Sequence, residues 1–210
     1  MSNLKKFGFA YIIGNKGSGK TVVATAFAKI DHDSGADVYL NYPVTFDAKS
    51  NIKRANGTID SMSGEDIINL FNENPNSFYG ATIVIDESQT VASSRQFFAK
   101  SNKSLTEFIS MLRKLKGTLI ITSQKFRKVD KWVREDAEYI IVMKAENPHE
   151  EYNTHFEMQV LDQNMDSMKG FLHPERIIWD GIFNGKPFFK YYDTDTLIAY
   201  TKSQKAEKDK

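Results

Sequence analysis

Eight residues near the amino end, Gly14-Asn15-Lys16-Gly17-Ser18-Gly19-Lys20-Thr21, fit the pattern G-x-x-x-x-G-K-[ST] in full. These residue types suit a highly charged anion. Glycines let the backbone curl until several N–H groups point at one centre. A helix opening at the end of the loop adds the partial positive charge of its N-terminus. Lys20 is placed to reach the β- and γ-phosphates of ATP, and the Thr21 hydroxyl to meet Mg²⁺. All eight residues are therefore candidate nucleotide contacts, with Lys20 also a catalytic cation. Lys16, third in the pattern, faces either phosphate or solvent, and solvent is favoured.

The second chemical signal lies about 65 residues further on. Thr82-Ile83-Val84-Ile85 is followed directly by Asp86-Glu87. A buried strand ending in two carboxylates presents both at the carboxyl edge of its sheet, the edge where open parallel sheets bind ligands. Asp86 is the candidate Mg²⁺ residue, acting through water. Glu87 is the candidate that orients and deprotonates an attacking water. Phosphotransferases with a similar loop often lack a glutamate here because their acceptor is not water, so Glu87 tips the reading towards hydrolysis. The run Leu119–Thr122 leads into Ser123-Gln124. Gln124 is placed to sense a γ-phosphate if its strand lies between the other two; otherwise it is a loop or capping residue.

The elements that must carry these groups can be read from hydrophobic spacing. Phe7–Ile13 is an apolar strand. A helix from about Thr21 to His32 turns Val22, Val23, Ala26, Phe27 and Ile30 inward, and Asp33–Gly35 stops it. Val38–Leu40 is a short strand ended by Asn41 and Pro43. Ser63 can cap a helix over Glu65–Phe71. Thr82–Ile85 is a buried strand, Val91–Lys103 a polar loop, and Leu105–Lys116 an amphipathic helix with Gly117 past its end. Leu119–Thr122 and Tyr139–Met143 are further strands. Alternating strand and helix predicts an α/β fold, a mainly parallel sheet with helices on both faces. After residue 145 the alternation stops. Phe156–Leu161 and Phe188–Tyr192 read as strands of a small C-terminal β addition. The expected organisation is a single domain over 1–200, with its core at about 7–144 and the addition at about 145–200. A flexible charged tail follows at 201–210.

Bulk properties narrow the classes. The chain has 210 residues, 40% hydrophobic and 26% charged, the length and balance of one globular domain. No apolar run is long enough for a membrane span. The apolar stretch after Lys5 and Lys6 leads into the glycine loop, not a cleavage site. Without cysteine there are no disulfides or thiolate metal sites. The four histidines are scattered without metal-ligand spacing. Net charge is +1, yet ten Lys/Arg stand between Lys100 and Arg134 against two acids, Glu107 and Asp130. A basic band near the ligand edge suits a nucleic-acid backbone; the plain alternative is a solvated charged face. Phe97 and Phe98, with Arg95, Lys100 and Lys103, make the polar loop a candidate pore element, or they pack on the following helix.

Several features coincide in order: the GxxGSGKT form of the loop, the acidic pair followed by Ser88-Gln89, then a helix with Arg113 and LIITSQ ending at Gln124, eleven residues on. This series resembles the FtsK–HerA superfamily of DNA-pumping P-loop ATPases. Asn41-Tyr42-Pro43, Val129–Arg134 and Tyr192-Asp193-Thr194 are similar to its zonular-occludens-toxin-like branch. The genome-packaging ATPases of tailless icosahedral viruses belong to the same superfamily. The resemblance implies a RecA-like sheet, a homo-oligomeric ring of five or six copies, and translocation of double-stranded DNA. It further implies a capsid or portal protein as partner and a cytoplasmic or virion-associated location. By register it also makes Arg113 the candidate arginine at a nucleotide site, own or neighbouring, with Arg95 and Arg134 as competitors. Toxin-like and filamentous-phage assembly proteins usually carry a membrane span after the ATPase domain. None follows here, which favours the packaging motor. The competing expectations are an assembly or secretion ATPase acting on protein partners and a small-molecule kinase.

Overall fold

Runs of β-branched residues with no polar break need cover on both faces, and Thr82–Ile85 has it: every residue of the run is buried. The computed structural model describes residues 8–46, 64–87, 105–124, 136–147, 153–163 and 176–192. Its strands are β1 (Gly8–Ile13), β2 (Val38–Leu40), β3 (Thr82–Ile85), β4 (Thr118–Ser123), β5 (Tyr139–Ala145), β6 (His155–Asp162) and β7 (Ile177–Asn184). They form one sheet in the order β2-β3-β4-β1-β5-β6-β7. The five from β2 to β5 run parallel, and β6 and β7 continue the sheet antiparallel. The C-terminal β addition is thus an extension of the same sheet.

Helix α1 (Lys20–Asp33) covers one face, together with a 3₁₀ helix at Lys186–Tyr191. Helices α2 (Gly64–Glu73) and α3 (Leu105–Lys114) cover the other. On that second face Phe71 packs edge-on against Phe108 at 4.6 Å between ring centres, and Tyr39 against Phe78 at 4.4 Å. Aromatic pairs at such spacing stabilise beyond their buried area. Helix α3 ends with Lys116 in the left-handed region and Gly117 N–H bonded to the Leu112 carbonyl. Gly117 is needed for space, because a side chain there would run into Leu112.

Two expectations change. Phe188–Tyr191 lies in a 3₁₀ helix, not a strand, Tyr192 alone is extended in an isolated bridge with Val44, and the seventh strand is the preceding segment, Ile177–Asn184. The aromatic run mimics a strand, but Pro187 opens the 3₁₀ turn and its rings pack on the α1 side of the sheet. Ile30 is half exposed rather than inward. Val22, Val23 and Ala26 are buried as expected, and a further buried stripe of Thr25, Lys29 and His32 faces Tyr42, Phe46 and Tyr191. Thr25 bonds the Tyr42 hydroxyl at 2.9 Å, and Lys29 lies 5.1 Å from the centre of the Tyr191 ring.

No helix among the described residues is long and apolar enough to cross a membrane. Ser63, Ser88, Gln89, the loop with Arg95, Phe97, Phe98, Lys100 and Lys103, the segment 129–134, Asp193, Thr194 and the tail from 201 lie outside the described residues.

Candidate active site

Strand β1 leaves the sheet at Ile13, and the glycine loop turns back to start α1. Gly14 N–H bonds the Ser123 carbonyl at 3.4 Å, which ties the loop entrance to β4. Gly17 and Gly19 have φ of 77° and 82°, a region that costs other residues about 1–2 kcal/mol. At Gly19 a side chain would also meet the Phe156 ring at 2.6 Å. Helix α1 opens with no side-chain cap and no acidic residue in its first turn, so its amino end offers N–H groups and partial positive charge to an anion. Lys20 is buried and donates from Nζ to the Asn15 carbonyl at 2.8 Å. Burial lowers its pKa, while the Asp86 and Glu87 carboxylates pull it up. Ser18 Oγ is buried without a hydrogen-bond partner among the described residues. Lys16 is exposed.

The acidic pair faces this loop. Thr21 Oγ1 donates to Asp86 Oδ2 at 2.9 Å, and Thr122 Oγ1 donates to Asp86 Oδ1 at 2.5 Å. Asp86 is 3% exposed. Burial raises its carboxyl above the ordinary aspartate range. The Thr122 and Thr21 bonds work against that rise, the Glu87 charge adds to it, and Lys20 opposes it. Glu87 takes a positive φ of 47°, rare for a residue with a side chain. Its N–H donates to Thr122 Oγ1 at 2.9 Å, and its Oε1 accepts from Gln124 Nε2 at 3.0 Å. Strand β4, which leads into Gln124, does lie between β3 and β1. Lys20, Thr21, Asp86, Glu87 and Gln124 therefore meet at one sheet edge.

Thr122 was hidden in the sequence inside what reads as an apolar run. Its signal is the register of β3 on β4: Ile85 pairs with Ile121, so the next residues, Asp86 and Thr122, stand opposite each other. Tyr42 and Tyr192 approach the same carboxylate. Burial raises both phenols first, and the Asp86 charge raises them further. Tyr192 belongs to the C-terminal motif noted in the sequence, and its ring lies 6.5 Å from that of Tyr42.

Arg113 is not brought to this site. Helix α3 runs towards the amino edge of the sheet, where β4 begins at Thr118 opposite Gly8 of β1. There Arg113 Nε donates to Glu138 Oε1 at 2.9 Å and Nη2 to the Asp136 carbonyl at 2.8 Å. The expectation that Arg113 acts at its own chain's loop is corrected: the loop and the acidic pair occupy the opposite edge. Lys114 and Lys116 share that distant end, so the described part of the basic band does not line the ligand edge; Lys116 sits 5.7 Å from the Tyr79 ring centre.

The donor set suits a magnesium nucleotide. The loop offers N–H groups, with Gly14 and Gly19 too closely packed to take a side chain, and Thr21 with Asp86 pairs a hydroxyl and a carboxylate, the hard oxygen donors that Mg²⁺ prefers. A glycine loop between β1 and α1, with β4 inserted between the loop strand and the acidic strand, defines a RecA-like P-loop NTPase domain. The family model for zonular occludens toxin (Zot) matches residues 10–167, and this chain belongs to that family. The N-terminal domain of zonular occludens toxin from Neisseria meningitidis superposes with a TM-score of 0.57 at 14% identity, covering 89% of this chain and 99% of that one. The genome packaging NTPase B204 from Sulfolobus turreted icosahedral virus 2, in complex with AMPPCP, superposes with a TM-score of 0.54 at 14% identity, covering 86% and 99%. Its complex with ATP-gammaS gives 0.51 at 15%, covering 77% and 94%. At these identities the likeness is one of fold. Among curated proteins no sequence matches the chain significantly.

Proposed function

We propose that this protein hydrolyses ATP at the loop edge and couples the reaction to movement of double-stranded DNA through a ring of its own copies, as a viral genome-packaging motor. The observation that carries the hydrolytic part is the pairing of Thr21 with Asp86 and of Gln124 with Glu87 across three neighbouring parallel strands. Lys20 and the amino end of α1 neutralise phosphate charge. Thr21 and Asp86 would hold Mg²⁺, which when bound stabilises charge on the phosphoryl oxygens. Glu87 takes the proton of the attacking water. Gln124, bonded to Glu87, is placed to link γ-phosphate binding to the aim of that carboxylate.

The superposed B204 structures, a genome packaging NTPase in complex with AMPPCP and with ATP-gammaS, support nucleotide binding and the packaging reading. DNA contact would fall to the rest of the basic band, Lys100 and Lys103 together with the Lys/Arg residues from Lys125 to Arg134. Five or six copies would form the ring, a capsid or portal protein would anchor it, and the motor would work in the cytoplasm or on the virion. Membership of the Zot family favours a second reading, an assembly ATPase acting on protein partners. Phosphate release measured with and without long double-stranded DNA, at low and moderate salt, separates the two. Stimulation by DNA that weakens with salt supports the motor. Turnover indifferent to DNA at both salts rejects it in favour of the assembly ATPase. A requirement for a small-molecule acceptor would reject both.

A further inference from the structure

Strand β2 stops at Leu40, and the next residue, Asn41, has no part in the chemistry above. Backbone pairing goes one step beyond the strand, where the Asn41 N–H donates to the Val84 carbonyl at 3.3 Å. The chain then runs on to Pro43, which has no N–H to offer a ladder. A side chain continues the ladder instead. Asn41 Oδ1 accepts the Asp86 N–H at 2.7 Å, and Asn41 Nδ2 donates to the Asp86 carbonyl at 3.0 Å. A carboxamide carries the acceptor and donor of a peptide group, so this one replaces the missing next residue of β2.

The consequence falls on the peptide that joins the two acidic residues. Its oxygen, the Asp86 carbonyl, is held by Asn41 from the β2 side. Its hydrogen, the Glu87 N–H, is held by Thr122 from the β4 side. With both ends of that peptide fixed, the chain enters the left-handed region at Glu87, and this conformation sets where the Glu87 carboxylate points. We infer that Asn41 is a positioning residue for hydrolysis, its side-chain amide pinning the Asp86–Glu87 peptide so that Glu87 meets Gln124 and the reacting water. The inference rests on the hydrolytic reading. It also explains the residue type: aspartate has the same shape but only acceptors, so it would keep the Asp86 N–H bond and repel the Asp86 carbonyl.

The test compares Asn41→Ala and Asn41→Asp with wild type and with Glu87→Gln, measuring kcat, KM, ATP affinity and thermal unfolding. The expected result is a fall in kcat of about a hundredfold in both Asn41 variants, with KM and ATP affinity changed by no more than about threefold. In the Glu87→Gln background the same substitutions should change the residual rate by less than about twofold, because the clamp acts through Glu87. Wild-type turnover in Asn41→Ala, beside a rate that still collapses in Glu87→Gln, overturns the clamp alone. So does a parallel loss of ATP affinity and melting temperature, or an equal kcat loss in both backgrounds. A wild-type rate unaffected by Glu87→Gln overturns the hydrolytic reading and the clamp with it.

Discussion

Thr122→Val isolates the hydroxyl on which both carboxylate residues depend. Thr122 has no exposed surface, and valine keeps its shape while replacing Oγ1 by a methyl group. Two bonds are lost: the one donated to Asp86 Oδ1 and the one accepted from Glu87 N–H. A hydrogen bond to a charged group contributes about 1.5–3 kcal/mol, and a donor left without a partner costs about 1–3 kcal/mol. The expected destabilisation is about 3 kcal/mol, or about 6–12 °C in Tm for a chain of this size. The loss has a pH signature. The Thr122 bond lowers an Asp86 carboxyl that burial has raised, so its removal raises that carboxyl further. A carboxyl raised by folding costs stability above its folded pKa, and the cost is relieved as pH falls through it towards the ordinary aspartate value. The Tm deficit of Thr122→Val should therefore be larger at about pH 8 than at about pH 5. Thr122→Ser, which keeps the hydroxyl, should recover most of the stability. Calorimetry at the two pH values decides it. Equal melting of Thr122→Val and wild type at pH 8, or a Thr122→Ser variant that behaves like valine, refutes the reasoning.

Three further outcomes are expected. Asp86→Asn removes a charge whose burial is unfavourable, so it should raise stability by about 1 kcal/mol while abolishing hydrolysis; scanning calorimetry beside a phosphate assay checks both, and a lower Tm would contradict the argument. Gly19→Ala puts a methyl group at φ 82° against the Phe156 ring and should destabilise by about 2 kcal/mol, with loss of nucleotide affinity readable in a fluorescence titration. Arg113→Ala breaks an ion pair whose arginine is 38% exposed; solvent screening limits the loss to about 0.5 kcal/mol, and ATP affinity of the single chain should not move in the same titration.

What could be read from the sequence were the features written in a few neighbouring residues. The loop pattern announces itself because backbone curvature needs glycine at fixed spacing, and Thr82–Ile85 because a strand buried on both faces has no room for polar groups. The parallel α/β order followed from that alternation. What escaped depends on distant pairing. Thr122 looks like one more β-branched strand residue until β3 fixes its register against Asp86. The stripe Thr25, Lys29, His32 reads as the polar face of α1, and is buried only because the 3₁₀ helix at Lys186–Tyr191 and the segment around Tyr42 and Phe46 come to rest on it. Strand β7 holds Asp180 and Gly181, poor strand formers, and is kept extended by its pairing with β6. Arg113 was placed by sequence spacing from Gln124, and spacing along the chain does not reveal that strand β4 runs between the two and sets them at opposite edges of the sheet.

Hydrolysis through Glu87 is tested by phosphate release from Mg–ATP by wild type and by Glu87→Gln, with ATP binding measured on both. The variant should bind ATP within about threefold of wild type and release phosphate at least about a hundred times more slowly. Phosphate release from Glu87→Gln at the wild-type rate would contradict hydrolysis through Glu87.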